Sequence, residues 1–310
     1  MELKVAITGG SGMVGSAFRD LIPNAVYASS KDYNLTEKEE ADNMMKTLSP
    51  DVVIHLAARV GGIKGNTDFI GDFYRDNILI NTNVLEAARK QNVKKLISVL
   101  STCVYPDKVT YPIREEAMHG GEPHFSNFGY AYAKRMLDVQ SRAYRQQFGC
   151  NFITAIPNNL YGENDNFHLE NSHVIPALMR KIWEAKKSGA PAVECWGTGK
   201  PLREFTYSQD LARILLFLLE RYNFSSPINV GNTEEHSIRE IAELLCEYLE
   251  YDGEIVWNIS KPSGQYKKPS SNARLLALGW EKENYTPLKE GLKKTCEWFK
   301  ISYPDIRGVE

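Results

Sequence analysis

The stretch "TGGSGMVGS", residues 8 to 16, sets Gly9, Gly12 and Gly15 three apart directly behind the apolar run "LKVAIT". Glycine lets the backbone turn sharply, and lets a following helix bring its N-terminal amides close to a pyrophosphate. Such a turn works only between a strand and a helix, so the chain must open with a strand–turn–helix unit. The residues from Gly9 to Gly15, with Gly10, Ser11, Met13 and Val14 among them, are expected to cradle a dinucleotide.

The first half of the chain repeats that unit. After "LKVAIT" come a helix from Met13 to about Leu21, strand "AVYA", a helix from about Glu37 and strand "VVIHLAA". A long helix from Phe73 to Lys90, strand "KLISVLS", a helix from Ala131 to Gln147 and strand "FITAIP" follow. Strands that are apolar throughout, separated by amphipathic helices, predict a parallel sheet covered on both faces: a Rossmann-type, doubly wound α/β fold.

After Pro157 the rhythm breaks. An Asn-rich stretch, "NNLYGENDNFHLENSH", leads to a helix from about Val174 to Lys187, and "AVECWGTGKPLREF" has no βαβ period. "YSQDLARILLFLLERY" and "INVGN" then read as helix and strand again. At 310 residues the chain exceeds the usual size of a single core. Two interleaved domains are expected: residues 1–163 with 204–233 for the cofactor, and residues 164–203 with 234–310 as a smaller α/β substrate-binding domain.

Lysine and arginine number 37 against 39 aspartates and glutamates, mixed along the chain for a net charge of -2, which argues against a nucleic-acid or membrane surface. Any anionic ligand must be met by local cations. The five cysteines are far apart with no C-x-x-C pair, so they predict reduced thiols and no metal site. No stretch reaches the length needed to span a bilayer, and no cleavage site follows the first apolar run; a cytoplasmic protein is expected.

The end of the second strand selects the nicotinamide cofactor, because an acid there bonds the ribose hydroxyls and repels a 2′-phosphate. Here "YASSKDYNL" offers Ser29, Ser30 and Lys31 before any acid, which favours NADP(H); Asp32 as a ribose ligand is the alternative. Further along, "FGYAYAKRM" sets Tyr130 and Lys134 one helical turn apart on one face. A lysine ammonium near a phenol is expected to lower its pKa and make it a usable proton donor and acceptor. Tyr132 has the wrong spacing and reads as packing.

Together with the glycine turn and Ser101 at the end of the fourth strand, these residues resemble the extended branch of the short-chain dehydrogenases/reductases, which acts on nucleotide sugars. The resemblance implies that Tyr130 is the general acid at a carbonyl, that Ser101 orients that carbonyl and that Lys134 holds the nicotinamide ribose. It also implies a cofactor wall including Ala57, Leu100, Pro157, Asn158, Asn159, Leu160 and His173. His55 reads instead as a satisfied core histidine.

A ketone reductase or 4-epimerase needs no thiol, yet Cys103 stands two residues after Ser101, at a strand's carboxyl end where ligands bind. "LSTCVYPDKVTYPIREE", "SNFGYAYAKRM", "NSHVIPALMRK" and "CWGTGKPLREF" together resemble the GDP-L-fucose synthases along nearly the whole chain. That resemblance implies GDP-4-keto-6-deoxy-D-mannose as substrate, 3,5-epimerisation through an enolate with Cys103 as base and His173 as acid, and NADPH-dependent reduction of the 4-keto group. His168 is a nearby rival for His173. The resemblance further implies Lys181, Trp196, Arg203 and Lys268 as contacts to the GDP half, and a homodimer built on helices near residues 72 to 91 and 126 to 148. The chain departs from the family at Ser263 and Asn272, where aspartates are common.

Two rivals stand beside this reading. An NAD-dependent nucleotide-sugar 4-epimerase or dehydratase uses the same scaffold, but a dehydratase is expected to carry an acid-base carboxylate pair where this chain has Thr102 and Cys103. A cofactor-sensing binding protein without turnover is the other.

Overall fold

The computed structural model describes residues 3–260 and 266–309. Its centre is a six-stranded sheet of β1 (Val5–Thr8), β2 (Val26–Ala28), β3 (Val52–His55), β4 (Lys95–Val99), β5 (Phe152–Ile156) and β9 (Ile228–Asn229), in the order β2-β1-β3-β4-β5-β9. Every pairing in it is parallel. The strands alternate their apolar side chains between two cores. Val53, Leu96 and Phe152 face α2 (Lys38–Leu48), α4 (Ile70–Lys90) and α5 (Phe128–Phe148). Ile54, Ile97 and Ile153 face α1 (Met13–Ala17), α7 (Ser208–Arg221) and α9 (Ala273–Ala277). Both faces are thus sealed by apolar helix stripes, as a parallel sheet requires.

Between the last two strands of that sheet the chain makes an excursion. It forms β6 (Asn159–Tyr161), α6 (Val174–Ser188), β7 (Ala192–Trp196) and β8 (Leu202–Tyr207) before α7 brings it back. After β9 it adds β10 (Glu235–Ser237), α8 (Ile238–Leu249), β11 (Glu254–Asn258) and, beyond α9, α10 (Leu288–Ser302). These build a three-stranded sheet β10-β8-β6, a parallel pair β11-β7, and a third core around Met179, Ile182, Leu245, Leu292 and Phe299. Leu275, Trp280 and Tyr285 instead pack on the central sheet.

Several bounds differ from the sequence reading. The first helix closes at Ala17 and continues only as turns. A short helix α3 (Ile63–Asp68) precedes α4, and a single 3-10 turn, Phe125–Asn127, starts α5 three residues early. At that start α4 and α5 nearly touch: a Cβ on Gly129 would lie 2.7 Å from the Ile70 carbonyl oxygen.

Buried polar side chains tie these layers together. The Thr8 hydroxyl accepts the amides of Leu56 and Ala57, each at 3.2 Å, and donates to His55 Nδ1 at 2.8 Å. His55 Nε2 donates to Asn81 Oδ1 at 3.2 Å, and Asn81 Nδ2 donates to the Ala133 carbonyl at 3.0 Å. Desolvation, helped by the nearby Lys134 charge, pushes His55 down from 6.5 to about 3, so it stays neutral in the fold. It is the satisfied core histidine that the sequence suggested.

The unfolded chain binds a proton at His55 below pH 6.5 that the folded chain does not bind until about pH 3. Stability is therefore full above that window and falls through it by about 1.4 kcal/mol per pH unit from this group. Urea unfolding at stepped pH should show this slope, and a His55→Asn variant should lack it; equal slopes would exclude His55 as the titrating group.

Candidate active site

The crevice opens where the sheet order reverses, at the carboxyl ends of the neighbours β1 and β3. Gly9 has φ +70°, and a Cβ on it would stand 2.9 Å from the Ala57 amide nitrogen. A Cβ on Gly10 would stand 2.7 Å from Tyr27 Cβ, and one on Gly15 2.4 Å from the Gly9 carbonyl oxygen. Gly12 closes the turn with a 3.0 Å amide bond to Gly9 and caps α1, whose first amides no side chain caps. This cradle, which any side chain would fill, fits a dinucleotide pyrophosphate.

At the end of β2 the acid is engaged elsewhere. Asp32 Oδ2 accepts the Ser29 amide at 2.8 Å and the Ser29 hydroxyl at 2.6 Å, bonds that hold its carboxyl below the ordinary range. One oxygen of the acid is thus engaged in its own turn. Ser30 and Lys31 sit exposed at this turn.

Ser101 stands two residues past the end of β4 and caps a 3-10 turn, Thr102–Val104; the Cys103 amide donates to its Oγ at 3.4 Å. Leu100 and Thr102 are fixed by amide bonds to the carbonyls of Ala155 and Pro157, at 2.8 and 3.1 Å. Tyr130 and Lys134 lie in the first turns of α5, with Lys134 Nζ 6.0 Å from the Tyr130 ring centre and donating to the Val99 carbonyl at 2.9 Å. Burial pulls Lys134 down to about 8. The Tyr130 phenol is corrected relative to the sequence reading: burial pushes it up, and charge on nearby Cys103 pushes it further. Desolvation outweighs the ammonium, which leaves a protonated phenol, the form that donates.

His173 is exposed at the N-cap position of α6, where its side chain makes no capping bond. His168 Nδ1 is used within its own loop, accepting the amides of Glu170 and Asn171 at 3.1 and 3.2 Å. The His173 segment is held to the cofactor side by the Gly62 amide, which donates to Asn171 at 2.8 Å. The buried Asp165, whose carboxyl is raised by desolvation and lowered by His173, lies beneath; sequence inspection missed it.

Lys181 Nζ stands 5.6 Å from the ring centre of Trp196, which is 59% exposed. Lys268 is half-buried near Cys103, Asp107 and Arg203: desolvation chiefly lowers its pKa, Cys103 and Asp107 raise it and Arg203 lowers it again. Arg203 donates to the carbonyls of Leu202 and Tyr266 at 2.7 and 3.4 Å. Ser263 lies outside the described residues, while Asn272 is buried and donates to the Gly231 carbonyl at 3.1 Å. Tyr132, beneath the Arg135 guanidinium, shares a groove with Tyr74 and Phe128 rather than the crevice.

The sequence reading also overlooked Glu204. This carboxylate is 3% exposed and accepts from Asn158 and from both the amide and hydroxyl of Ser270. Charge-assisted bonds of about 1.5–3 kcal/mol each are what make such a burial tolerable. Its partners are 46 and 66 residues away, so no local pattern points to it.

Fold and crevice together define a nicotinamide-dependent oxidoreductase of the Rossmann type. A family model described as "NAD dependent epimerase/dehydratase family" matches residues 5–231. A GDP-L-fucose synthase of Dictyostelium discoideum is 43% identical over 312 residues, covering 98% of this chain and 97% of that one. GDP-L-fucose synthase 1 of Arabidopsis thaliana is 40% identical, covering 96% and 93%. The crystal structure of a GDP-L-fucose synthetase from Naegleria fowleri bound to NADP superposes with a TM-score of 0.93 at 39% identity, over 99% of this chain and 97% of that one. The chain belongs to the NAD dependent epimerase/dehydratase family and, within it, to the GDP-L-fucose synthases.

Because a Cβ at Gly15 collides with backbone rather than with a movable side chain, Gly15→Ala should open the turn. We expect NADPH affinity to fall about tenfold or more in a fluorescence titration, with the fold retained. Unchanged affinity would mean that the turn does not hold the pyrophosphate.

Proposed function

We propose that this protein converts GDP-4-keto-6-deoxy-D-mannose to GDP-L-fucose, inverting the third and fifth ring carbons and reducing the ketone with NADPH. The observation that carries the reading is the thiol of Cys103 set beside Ser101, within electrostatic reach of both the half-buried Tyr130 phenol and the Lys268 ammonium. Reduction alone has no use for that thiol.

The ketone acidifies the hydrogens on both flanking carbons. Cys103, as thiolate, takes a proton from one of them, and the charge moves onto the carbonyl oxygen, where Ser101 and Tyr130 hydrogen-bond it. His173 returns a proton from the opposite face, which inverts the carbon. Once Cys103 has released its proton to solvent and His173 has taken one up, the same exchange at the second carbon completes the epimerisation. NADPH, when bound, supplies the hydride that the fourth carbon receives. Tyr130 then gives its proton to the alkoxide oxygen, and Lys134, anchored on the Val99 carbonyl, holds the nicotinamide ribose.

The remaining assignments follow the same reading. Lys181, Trp196, Arg203 and Lys268 hold the GDP half; the indole offers an exposed face for a base and the cations meet the diphosphate. Ser30 and Lys31 meet the 2′-phosphate. Residues 1–163 with 204–233 form the cofactor domain and residues 164–203 with 234–310 the substrate domain; the separate core around α6, α8 and α10 supports the division, while Leu275, Trp280 and Tyr285 of the C-terminal part pack back onto the central sheet. The protein works in the cytoplasm as a homodimer paired through α4 and α5, whose exposed Tyr74, Leu79, Phe128 and Val139 supply an apolar surface. Among the described residues no helix is long and apolar enough to cross a membrane.

Turnover of the keto sugar with NADPH in deuterated water, followed by NMR, tests the whole reading. GDP-L-fucose labelled at the third and fifth carbons is expected; an unlabelled 6-deoxyhexose of unchanged configuration would make the protein a plain 4-reductase. Cys103→Ser should nearly abolish fucose formation with NADPH binding intact. Tyr130→Phe should block reduction while ring hydrogens still exchange, and loss of exchange in that variant would give the phenol a part in epimerisation.

A further inference from the structure

We propose that Glu204 is a positioning residue whose buried carboxylate clamps the loop carrying Lys268 to the loop lining the nicotinamide crevice, and so keeps Lys268 beside Arg203 until an anionic sugar nucleotide arrives. The inference rests on the proposed reading of Lys268 and Arg203 as contacts to the diphosphate.

Glu204 Oε1 accepts the Ser270 amide at 2.9 Å, and its Oε2 accepts the Ser270 hydroxyl at 2.6 Å and Asn158 Nδ2 at 3.2 Å. All three partners donate. Asn158 cannot turn over to accept instead. Its Oδ1 takes the Thr206 hydroxyl at 2.6 Å, that hydroxyl's lone pair takes the Asn232 amide at 2.8 Å, and Asn158 Nδ2 gives its other hydrogen to the Asn232 carbonyl at 2.6 Å. Gly231 packs so closely on Asn158 that a Cβ there would lie 2.2 Å from Nδ2. The site therefore needs an acceptor at both oxygens, which a carboxylate provides and an amide does not.

The clamp acts on a segment held from two sides. Ile113 donates to the Pro269 carbonyl and accepts the Ser271 amide, each at 2.9 Å, while Ser270 between them turns to Glu204. Lys268 is two residues from that point. Desolvation, and to a lesser degree the like charge of Arg203, disfavour the Lys268 ammonium, while Cys103 and Asp107 favour it. A fixed anchor at Ser270 holds the loop in place against that desolvation, leaving the cation pair preformed for a diphosphate.

Glu204→Gln sets an N–H against a donor in either amide orientation, and Ser270→Ala removes only the hydroxyl. Titration with GDP-mannose, a nucleotide sugar without the ketone, reads the clamp whether or not turnover occurs. We expect its affinity, and KM for the keto sugar, to weaken about tenfold in Glu204→Gln and about threefold in Ser270→Ala, with kcat for reduction and NADPH affinity within about twofold. Asn158, still held by Thr206 and Asn232, accounts for the unchanged cofactor binding. A merely structural role would lower NADPH affinity in step with that for GDP-mannose. That result, or unchanged GDP-mannose affinity in Ser270→Ala, overturns the clamp. Wild-type protein that binds GDP-mannose but forms no GDP-L-fucose overturns the functional reading instead. Should Glu204→Gln fail to fold, Ser270→Ala decides alone.

Discussion

The structure depends on one short run of buried hydrogen bonds, from Thr8 through His55 and Asn81 to the Ala133 carbonyl. Thr8 is the last residue before the glycine turn, and Ala133 is the residue before Lys134. Three side chains thus span the two central strands and two helices, and they fix the distance between the pyrophosphate cradle and the pair Tyr130 and Lys134. A neutral His55 is essential to it, because Nδ1 must accept while Nε2 donates. The burial that pushes this imidazole down is what preserves that arrangement.

The same desolvation governs the reacting groups. It keeps the Tyr130 phenol protonated and draws Lys134 toward neutral range. A protonated phenol suits a step in which an alkoxide oxygen needs a proton, whereas a phenolate there would first have to be recharged. Proximity of an ammonium alone suggests the opposite direction. Desolvation is the largest effect on this phenol, and the charge of Cys103 acts in the same direction.

What was legible in the sequence is what is local. The glycine triplet, the Tyr–Lys spacing, the alternation of apolar strands with helices and the break after Pro157 each lie within a few dozen residues and carry their own periodicity or spacing. Asp32 was left as an alternative because its engagement with Ser29 is a matter of turn geometry, invisible in the order Ser-Ser-Lys-Asp. Glu204 and Asp165 were missed for a different reason. Each works through partners brought near only by the tertiary fold, and an acid in "PLREF" or "GENDNF" is indistinguishable from a surface charge.

The two buried acids also show why the substrate side is built differently from the cofactor side. The cofactor crevice is closed by backbone, since glycines at a strand–helix turn leave no freedom for a side chain to take or relinquish. The proposed substrate side is held by side chains on segments that come from the excursion and the C-terminal third, and these bear the cations Arg203 and Lys268. Backbone hydrogen bonds to Ile113 set the path of the 269–271 segment, but a single ionised acceptor sets its depth. A carboxylate embedded in the middle strand of the small sheet can thus hold in place a cation that desolvation would otherwise push outward.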